Sequence, residues 1–264
     1  MQRTERIENA LRAYMEQDNS VRLLNESMSY SLLDGGKRIR PQLLLLICEM
    51  LGGSEDTAMP FACALEMIHC YSLIHDDLPA MDDDTVRRGK PSSHVQFGEG
   101  NAILAGDALL TKAGLLLVSQ EGYDNAKRAI FEGAYAMVSG QSEDLNLTDR
   151  SAETLERIHL NKTGALFCAA CKVGAYLSDP AKAESMRLFG ETLGLLFQMT
   201  DDLLDEEKDR LENKLTYVSL YGREETKTLI EAAYERAMAI LAPYAGEAAE
   251  TLRDLITRLR SRTN

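Results

Sequence analysis

The chain has no tryptophan and little proline, six residues in 264. Glycine is sparse too, at 18. Architectures that break the chain often are therefore excluded, among them collagen-like repeats, proline-rich linkers and loop-dense β folds. No alternating apolar and polar runs bounded by hairpin turns are present, so no strand is expected. Long apolar runs are missing as well. A run such as Leu43 to Cys48 is far short of the roughly 20 residues that cross a bilayer, so no stable membrane anchor is expected. The first twenty residues are charged and hold no apolar segment of the secretory kind. Positive charge is in deficit, with 29 Lys and Arg against 42 Asp and Glu for a net charge of −13. That excludes nucleic acid and anionic membrane as main partners. A small diphosphate stays open, because a local basic cluster outweighs the global sign. Five cysteines, an odd number, stand at 48, 63, 70, 168 and 171 in apolar helical surroundings. They read as reduced core thiols of a cytoplasmic protein, the Cys168-Ala-Ala-Cys171 pair included.

What remains is helix. Apolar residues recur at intervals of three and four in Ile7, Leu11, Tyr14, in Leu188, Leu193, Leu195, Leu196, and in Leu229, Ala233, Ala237, Ile240, Leu241. Breaks fall at Asp34-Gly35-Gly36, Gly52-Gly53-Ser54, Lys90 to Ser93, Glu121-Gly122, Thr148 to Ala152, Ser178-Asp179-Pro180, Glu206 to Asn213 and Pro243. Nine or ten helices follow, in one all-α bundle spanning residues 1–264.

Two acidic motifs interrupt this apolar pattern. The first runs through Asp76, Asp77, Asp82, Asp83 and Asp84, and the second holds Asp201, Asp202 and Asp205. A helix turns about 100° per residue, so Asp201 and Asp205 lie one above the other. Like charges so close resist ionisation unless a cation sits between them. Hard oxygen ligands of this kind suit Mg²⁺, which takes one or two carboxylates and completes its shell with water and phosphate oxygens. Two such clusters point to two walls of one cleft around a phosphorylated substrate. A solvated helix end is the plain alternative for either cluster alone.

Basic residues keep them company. Gly35-Gly36-Lys37-Arg38-Ile39-Arg40-Pro41 puts three cations at a helix start, where they oppose the helix dipole and so gain nothing locally. Glycine lets backbone approach an anion, and arginine offers forked donors that match phosphate. Arg87, Arg88 and Lys90 follow the first acidic motif. His69 and Ser72 share the helix face of Asp76, and a hydrogen-bonded core histidine is the plain reading of His69.

The stretches GGKRIRP, MIHCYSLIHDDLPAMDDDTVRRGKPSSH, FGEGNAILAGDALLT, GQSEDL, HLNKTGALFCAACKVGA and FQMTDDLLD resemble the trans-isoprenyl diphosphate synthases. The resemblance runs in order from about Gly35 to Tyr221 and favours the bacterial farnesyl/geranyl diphosphate synthase branch. It implies an isoprenoid synthase fold, a helical bundle around a deep central cavity, and a homodimer. It implies an allylic diphosphate held through Mg²⁺ on Asp76, Asp77, Asp82 and on Asp201, Asp202, Asp205, with Arg87 and Lys162 on the phosphates. Thr163 and Gln198 would turn oxygen dipoles toward the allylic cation. Isopentenyl diphosphate would bind Lys37, Arg40, His69 and Arg88, and Lys214 matches a further substrate-binding lysine. Gln141 and Asp144 would support the site from behind. Tyr71, with the small Ser72 beside it, would floor the cavity below Asp76 and stop the chain at fifteen carbons.

Two departures stand out. The segment before Gly35 is short. The stretch Glu206 to Asn213 lacks the family's glycines and the lysine in a Gly-Lys context, for which Lys208 is a candidate replacement. Weaker allylic binding, slower turnover or a need for a partner subunit follows. A non-catalytic subunit of a heteromeric synthase is thus the second reading and a terpene cyclase the third, although a cyclase has no use for the cations Lys37, Arg40 and Arg88. The arginines at 253, 258, 260 and 262 read as a solvated helix end, with a tail arginine on isopentenyl diphosphate as the alternative.

Overall fold

The computed structural model describes residues 2–18 and 20–262. Their contacts divide them into two compact units. The first comprises the chain up to Leu45 together with Glu55–Tyr123. It holds α1 (Gln2–Glu16), α2 (Arg22–Leu32), the first part of α3 (Ile39–Met50) and α4 (Glu55–Asp76). A two-residue ladder, β1 (Val86–Arg87) and β2 (Lys90–Pro91), then precedes α5 (Ser93–Phe97) and α6 (Glu99–Val118). The second unit comprises Leu46–Ser54 and the chain from Asp124 onward. It holds α7 (Asp124–Leu145), α8 (Ala152–His159), a π-helical turn (Leu160–Gly164), α9 (Ala165–Tyr176) and α10 (Ala183–Leu204). The short α11 (Glu206–Leu211) and α12 (Tyr217–Tyr221) then lead to α13 (Arg223–Leu241) and α14 (Glu247–Arg260).

The all-α expectation holds, with ten helices of eleven residues or more among the described residues. The helices stop where the breakers stand. α4 ends at Asp76, before Pro79, and the turn behind it closes through the Asp82 N–H to the Asp76 carbonyl oxygen at 2.9 Å. α8 starts on Ser151, whose hydroxyl accepts from the Thr154 N–H, and α12 on a reciprocal Thr216–Ser219 capping box. Two local elements depart from expectation. The ladder at 86–91 turns through Arg88 and Gly89, both at positive φ (53° and 79°), as a two-residue hairpin of the primed kind requires. A pair of two-residue strands is too short to show alternation, so it escapes a search by period. The stretch expected as a break at Glu206–Asn213 instead forms α11.

α4 is the interior rod of the first unit, with Phe61, Leu65, Met67, Ile68 and Ile74 all buried, and it packs along α6. By composition both α4 and α6 are long and apolar enough to cross a membrane, more than the run lengths foretold. α4 buries 67% of its most apolar window and α6 33%. On α6, Ile103, Leu104, Leu115 and Val118 stay exposed, and Asp107 is exposed on the same helix. A carboxylate at mid-bilayer depth is costly, so this row suits a protein partner better than lipid.

In the second unit α10 is central and packs on α9 and α13. The π-helical turn is wedged beside two glycines. A Cβ on Gly194 of α10 would stand 2.5 Å from the Gly164 Cα, and one on Gly140 of α7 would stand 2.3 Å from the Lys162 nitrogen. Backbone so close leaves no room for a methyl group. Gly194→Ala should therefore cost about 1–3 kcal/mol through overpacking. Urea denaturation measures this, and an unchanged midpoint would show that the turn has room to shift.

Candidate active site

Each unit carries one acidic motif. In the first, α4 brings Glu66, His69, Tyr71, Ser72 and Asp76 along its C-terminal half. Asp77 is buried, and the Arg87 fork closes on it, with Nε donating to Oδ1 at 2.9 Å and Nη2 to the same oxygen. Burial raises the Asp77 pKa, and the guanidinium opposes that rise. Asp76 is half-buried and Asp82 exposed. The structure thus pairs two residues to which the sequence gave separate tasks, Asp77 for metal and Arg87 for phosphate.

The cations meet at the glycine turn before α3. Arg40 Nη1 lies 3.3 Å from His69 Nε2, and Arg88 Nη1 donates to the Gly35 carbonyl oxygen at 2.5 Å. Lys37 is exposed on the same turn. Burial first, and then the charges of Arg40 and Arg88, hold the His69 pKa well below the ordinary histidine value, so its ring is neutral and accepts. Tyr71 is 6% exposed, and its ring stands edge-on to His75 with centroids 5.7 Å apart. Ser72 turns its hydroxyl back to the His69 carbonyl oxygen at 2.9 Å.

In the second unit a chain of hydrogen bonds links the other predicted residues. Thr163 Oγ1 donates to Gln198 Oε1 at 3.0 Å, and Gln198 Nε2 donates to Asp202 Oδ1 at 3.1 Å. Asp202 Oδ2 accepts the Tyr217 N–H at 2.8 Å. Lys162 Nζ donates to Asp144 Oδ2 at 2.6 Å. A cavity of about 420 Å³ is lined by Lys162, Gln198, Asp201, Asp202, Asp205 and Lys214, among others. Gln141 is buried, and neither end of its amide has a protein partner.

Two further residues, Asp209 and His159, were not singled out by sequence, and a third, Arg262, was read there with the tail arginines. Asp209, on α11, lines the same cavity, and its carboxylate lies 3.7 Å from Lys214 Nζ. Its signal was masked by reading 206–213 as a deficient loop. His159 lines the cavity with its ring 5.4 Å from that of Tyr217 and its Nδ1 buried without a protein partner. Arg262 donates to Asp201 Oδ1 at 2.7 Å and lies over the Phe197 ring at 4.6 Å. The C-terminal arginines are therefore not a simply solvated end. Arg260 also covers an aromatic ring, that of Tyr234, and Arg253 donates to the Leu241 and Tyr244 carbonyl oxygens.

Lys37, Arg40, Arg87, Arg88, Asp76, Asp77 and Asp82 thus share the first unit, and Lys162, Thr163, Gln198, Asp201, Asp202, Asp205 and Lys214 the second. Residues 21–239 match the family model described as polyprenyl synthetase. The chain belongs to the polyprenyl synthetase family. Among relatives of this family, the chain is 45% identical over 236 residues to the "heterodimeric geranylgeranyl pyrophosphate synthase large subunit 1, chloroplastic" of Arabidopsis thaliana, covering 79% of this chain and 64% of that protein. It is 41% identical over 268 residues to "geranylgeranyl pyrophosphate synthase 11, chloroplastic" of the same plant, covering 91% and 75%. Its backbone matches the crystal structure of a geranyltransferase from Legionella pneumophila with a TM-score of 0.89 at 34% identity, over 98% of this chain and 95% of the other. The isoprenoid synthase fold is shared with it.

These names correct one expectation. The cytoplasmic location does not stand, because relatives at 41% and 45% identity are named chloroplastic. Reduced thiols fit any reducing compartment, so they had no power to choose among them.

Two buried groups on the cavity wall give this polyprenyl synthetase opposite responses to acid. Burial pushes the Asp202 pKa up to about 6. A raised acid keeps its proton longer when folded, so its stabilising contribution is full below the unfolded value near 3.8 and lost by about pH 6. Burial drives the His159 pKa down to about 4. Its contribution is full above the unfolded value near 6.5 and lost as pH falls to about 4. Each spans about 3 kcal/mol at 1.36 kcal/mol per pH unit. Asp202→Asn should make stability rise more steeply between pH 4 and 6, and His159→Phe should make it rise less. Urea titrations in metal-free buffer test this, and slopes that move together would refute it.

Proposed function

We propose that the chain is a trans-prenyltransferase that condenses isopentenyl diphosphate with an allylic diphosphate, dimethylallyl or geranyl, giving mainly farnesyl diphosphate. The observation that carries this reading is the Thr163–Gln198–Asp202 hydrogen-bond chain, of which Gln198 and Asp202 line a carboxylate-lined cavity. An allylic cation needs fixed oxygen dipoles beside it, and a departing diphosphate needs cations. The two side-chain oxygens, held by hydrogen bonds, meet the first need. Lys162 and Arg87 meet the second. Lys37, Arg40 and Arg88, with the neutral His69, form a separate cationic cluster, as a second diphosphate requires, which favours condensation over cyclisation.

The carboxylates fit Mg²⁺. Among the described residues no three Asp, Glu, His or Cys side chains converge on one point. Magnesium needs no such cage, since one or two carboxylates suffice when phosphate oxygens and water complete its shell. Asp201 with Asp205, and Asp76 with Asp82, have the oxygens to hold it, with Asp77 and Asp202 behind them. When bound it supplies charge that steadies the leaving diphosphate. Lys162 and Arg87 grip phosphate oxygens, Gln198 and Thr163 face the cation, and Tyr71 limits the length of the hydrocarbon. A homodimer is supported by the exposed apolar rows on α6 and, within the second unit, on α7 at Phe131, Tyr135 and Val138.

A second reading, a regulatory subunit of a heteromeric synthase, draws on two observations. A relative is named as the large subunit of a heterodimeric synthase, and α11 stands where the resemblance implies a longer, glycine-bearing loop. Purified chain given both substrates and Mg²⁺ separates the two. We expect farnesyl diphosphate from either starter, loss of turnover on chelation and its return with Mg²⁺. Asp201→Ala should lower kcat at least 100-fold, about 2.7 kcal/mol at the transition state. A chain inactive alone but active with a partner would establish the second reading. Tyr71→Ala should shift products beyond fifteen carbons, and an unchanged product length would remove Tyr71 from that role.

A further inference from the structure

The turn that carries Lys37 and Arg40 is held from within by the arginine between them. Arg38 adopts a left-handed backbone, φ 46°, and its side chain is 1% exposed. Its Nε donates to Glu8 Oε1 at 2.6 Å, Nη1 to Glu66 Oε1 at 2.6 Å and Nη2 to the Leu32 carbonyl oxygen at 2.5 Å. These partners sit on α1, α4 and the end of α2, all in the first unit. A long side chain at positive φ persists only where its surroundings over-determine it, and three directional bonds do so here.

The consequences reach both neighbours. The Arg38 carbonyl oxygen accepts the Gln42 N–H in the first turn of α3, at 3.1 Å, and Gln42 Nε2 donates to the Lys37 carbonyl oxygen at 2.6 Å. On α4, Glu66 stands three residues before His69, whose Nε2 meets Arg40. One helix therefore fixes the turn at two points a helical step apart. Arg88 closes over the other end. A Cβ on Gly36, φ 117°, would stand 2.9 Å from Arg88 Nη2, so this close approach needs glycine. Plain stability does not call for the guanidinium, because a buried ion pair is often replaceable by apolar side chains at little cost. The fork's particular contribution is direction.

We propose that Arg38 is a positioning residue for isopentenyl diphosphate. It sets the spacing of Lys37, Arg40 and Arg88 and touches no substrate itself. The inference rests on the prenyltransferase reading and deepens it. The test is the double variant Arg38→Met/Glu66→Met, which replaces the buried pair with apolar groups. Its denaturation midpoint should stay near the parent's, while the calorimetric Kd and the KM for isopentenyl diphosphate rise about tenfold or more, since misplaced contacts are costly. The KM for geranyl diphosphate and the saturated kcat should stay within about threefold of the parent. Arg38→Lys, which keeps charge but not the fork, should weaken isopentenyl diphosphate binding in the same sense. A folded double variant with unchanged Kd overturns the proposal. Should that variant fail to fold, Glu8→Gln decides instead. It removes the charge from one of the three bonds at a partly exposed side chain, and an unchanged Kd there overturns the proposal equally. The binding arm needs no turnover. A chain that bound isopentenyl diphosphate without converting it would sink the catalytic reading alone, and the variant's Kd would still decide the role of Arg38.

Discussion

The carboxylate of Asp202 does two jobs from one buried position. One oxygen fixes the Gln198 amide, the other holds the Tyr217 N–H at the start of α12, and the charge has almost no water to share it. An amide has two ends, and which one faces the cavity matters. With Nε2 committed to Asp202, the oxygen of Gln198 is left to accept from Thr163. On the proposed reading, the dipole that would stabilise the allylic cation is set by a residue whose own role looks, from sequence, like metal binding. The cost is visible in the raised Asp202 pKa, and it is the cost expected of preorganisation in a dry wall.

The first unit solves the same problem with arginine. Asp77 is buried and answered by Arg87, and Glu66 is buried and answered by Arg38. Removing one partner of such a pair leaves an uncompensated charge, which costs several kcal/mol, whereas the pair itself adds little net stability. Pairs of this kind are poor glue and good rulers. They sit at the two ends of the cationic surface, behind the glycine turn and behind the end of α4, where spacing matters more than strength.

Much of this was legible in sequence. Long helices showed through their apolar period, and glycine pairs and prolines marked their ends, because those signals are local. The acidic and basic motifs gave the family. What escaped had no local signature. The π-helical turn at Leu160–Gly164 depends on Gly140 and Gly194, which lie on other helices and clear its path. The Arg262–Asp201 contact joins residues 61 positions apart, and a basic tail reads as solvated until its partner is known. The ladder at 86–91 is too short to alternate. Arg38 was counted with Lys37 and Arg40 as one of three cations at a helix start, since nothing in GGKRIRP tells which cation turns inward. Compartment was misread for a different reason: reduced cysteines exclude oxidising compartments and do not choose among reducing ones.

The stretch after Asp205 shows how a short segment brings an acid and a base to one cavity. The family's loop was expected to bring a lysine and a further aspartate, and eight residues without glycine looked too few. They form α11 instead, whose turn returns the chain through the Lys214 N–H to the Asp209 carbonyl oxygen at 2.9 Å. That bond brings the Asp209 carboxylate and the Lys214 ammonium to the cavity together. A helix rises only 1.5 Å per residue, so it delivers side chains at fixed spacing without the reach of a loop. The exchange trades mobility for placement. A lid that closes over substrate needs low local stability, and a helical turn that follows directly on α10 has less of that freedom. On the proposed reading, binding and release, more than the bond-breaking step, are therefore where a chain with α11 should differ from one with the long loop that the resemblance implies.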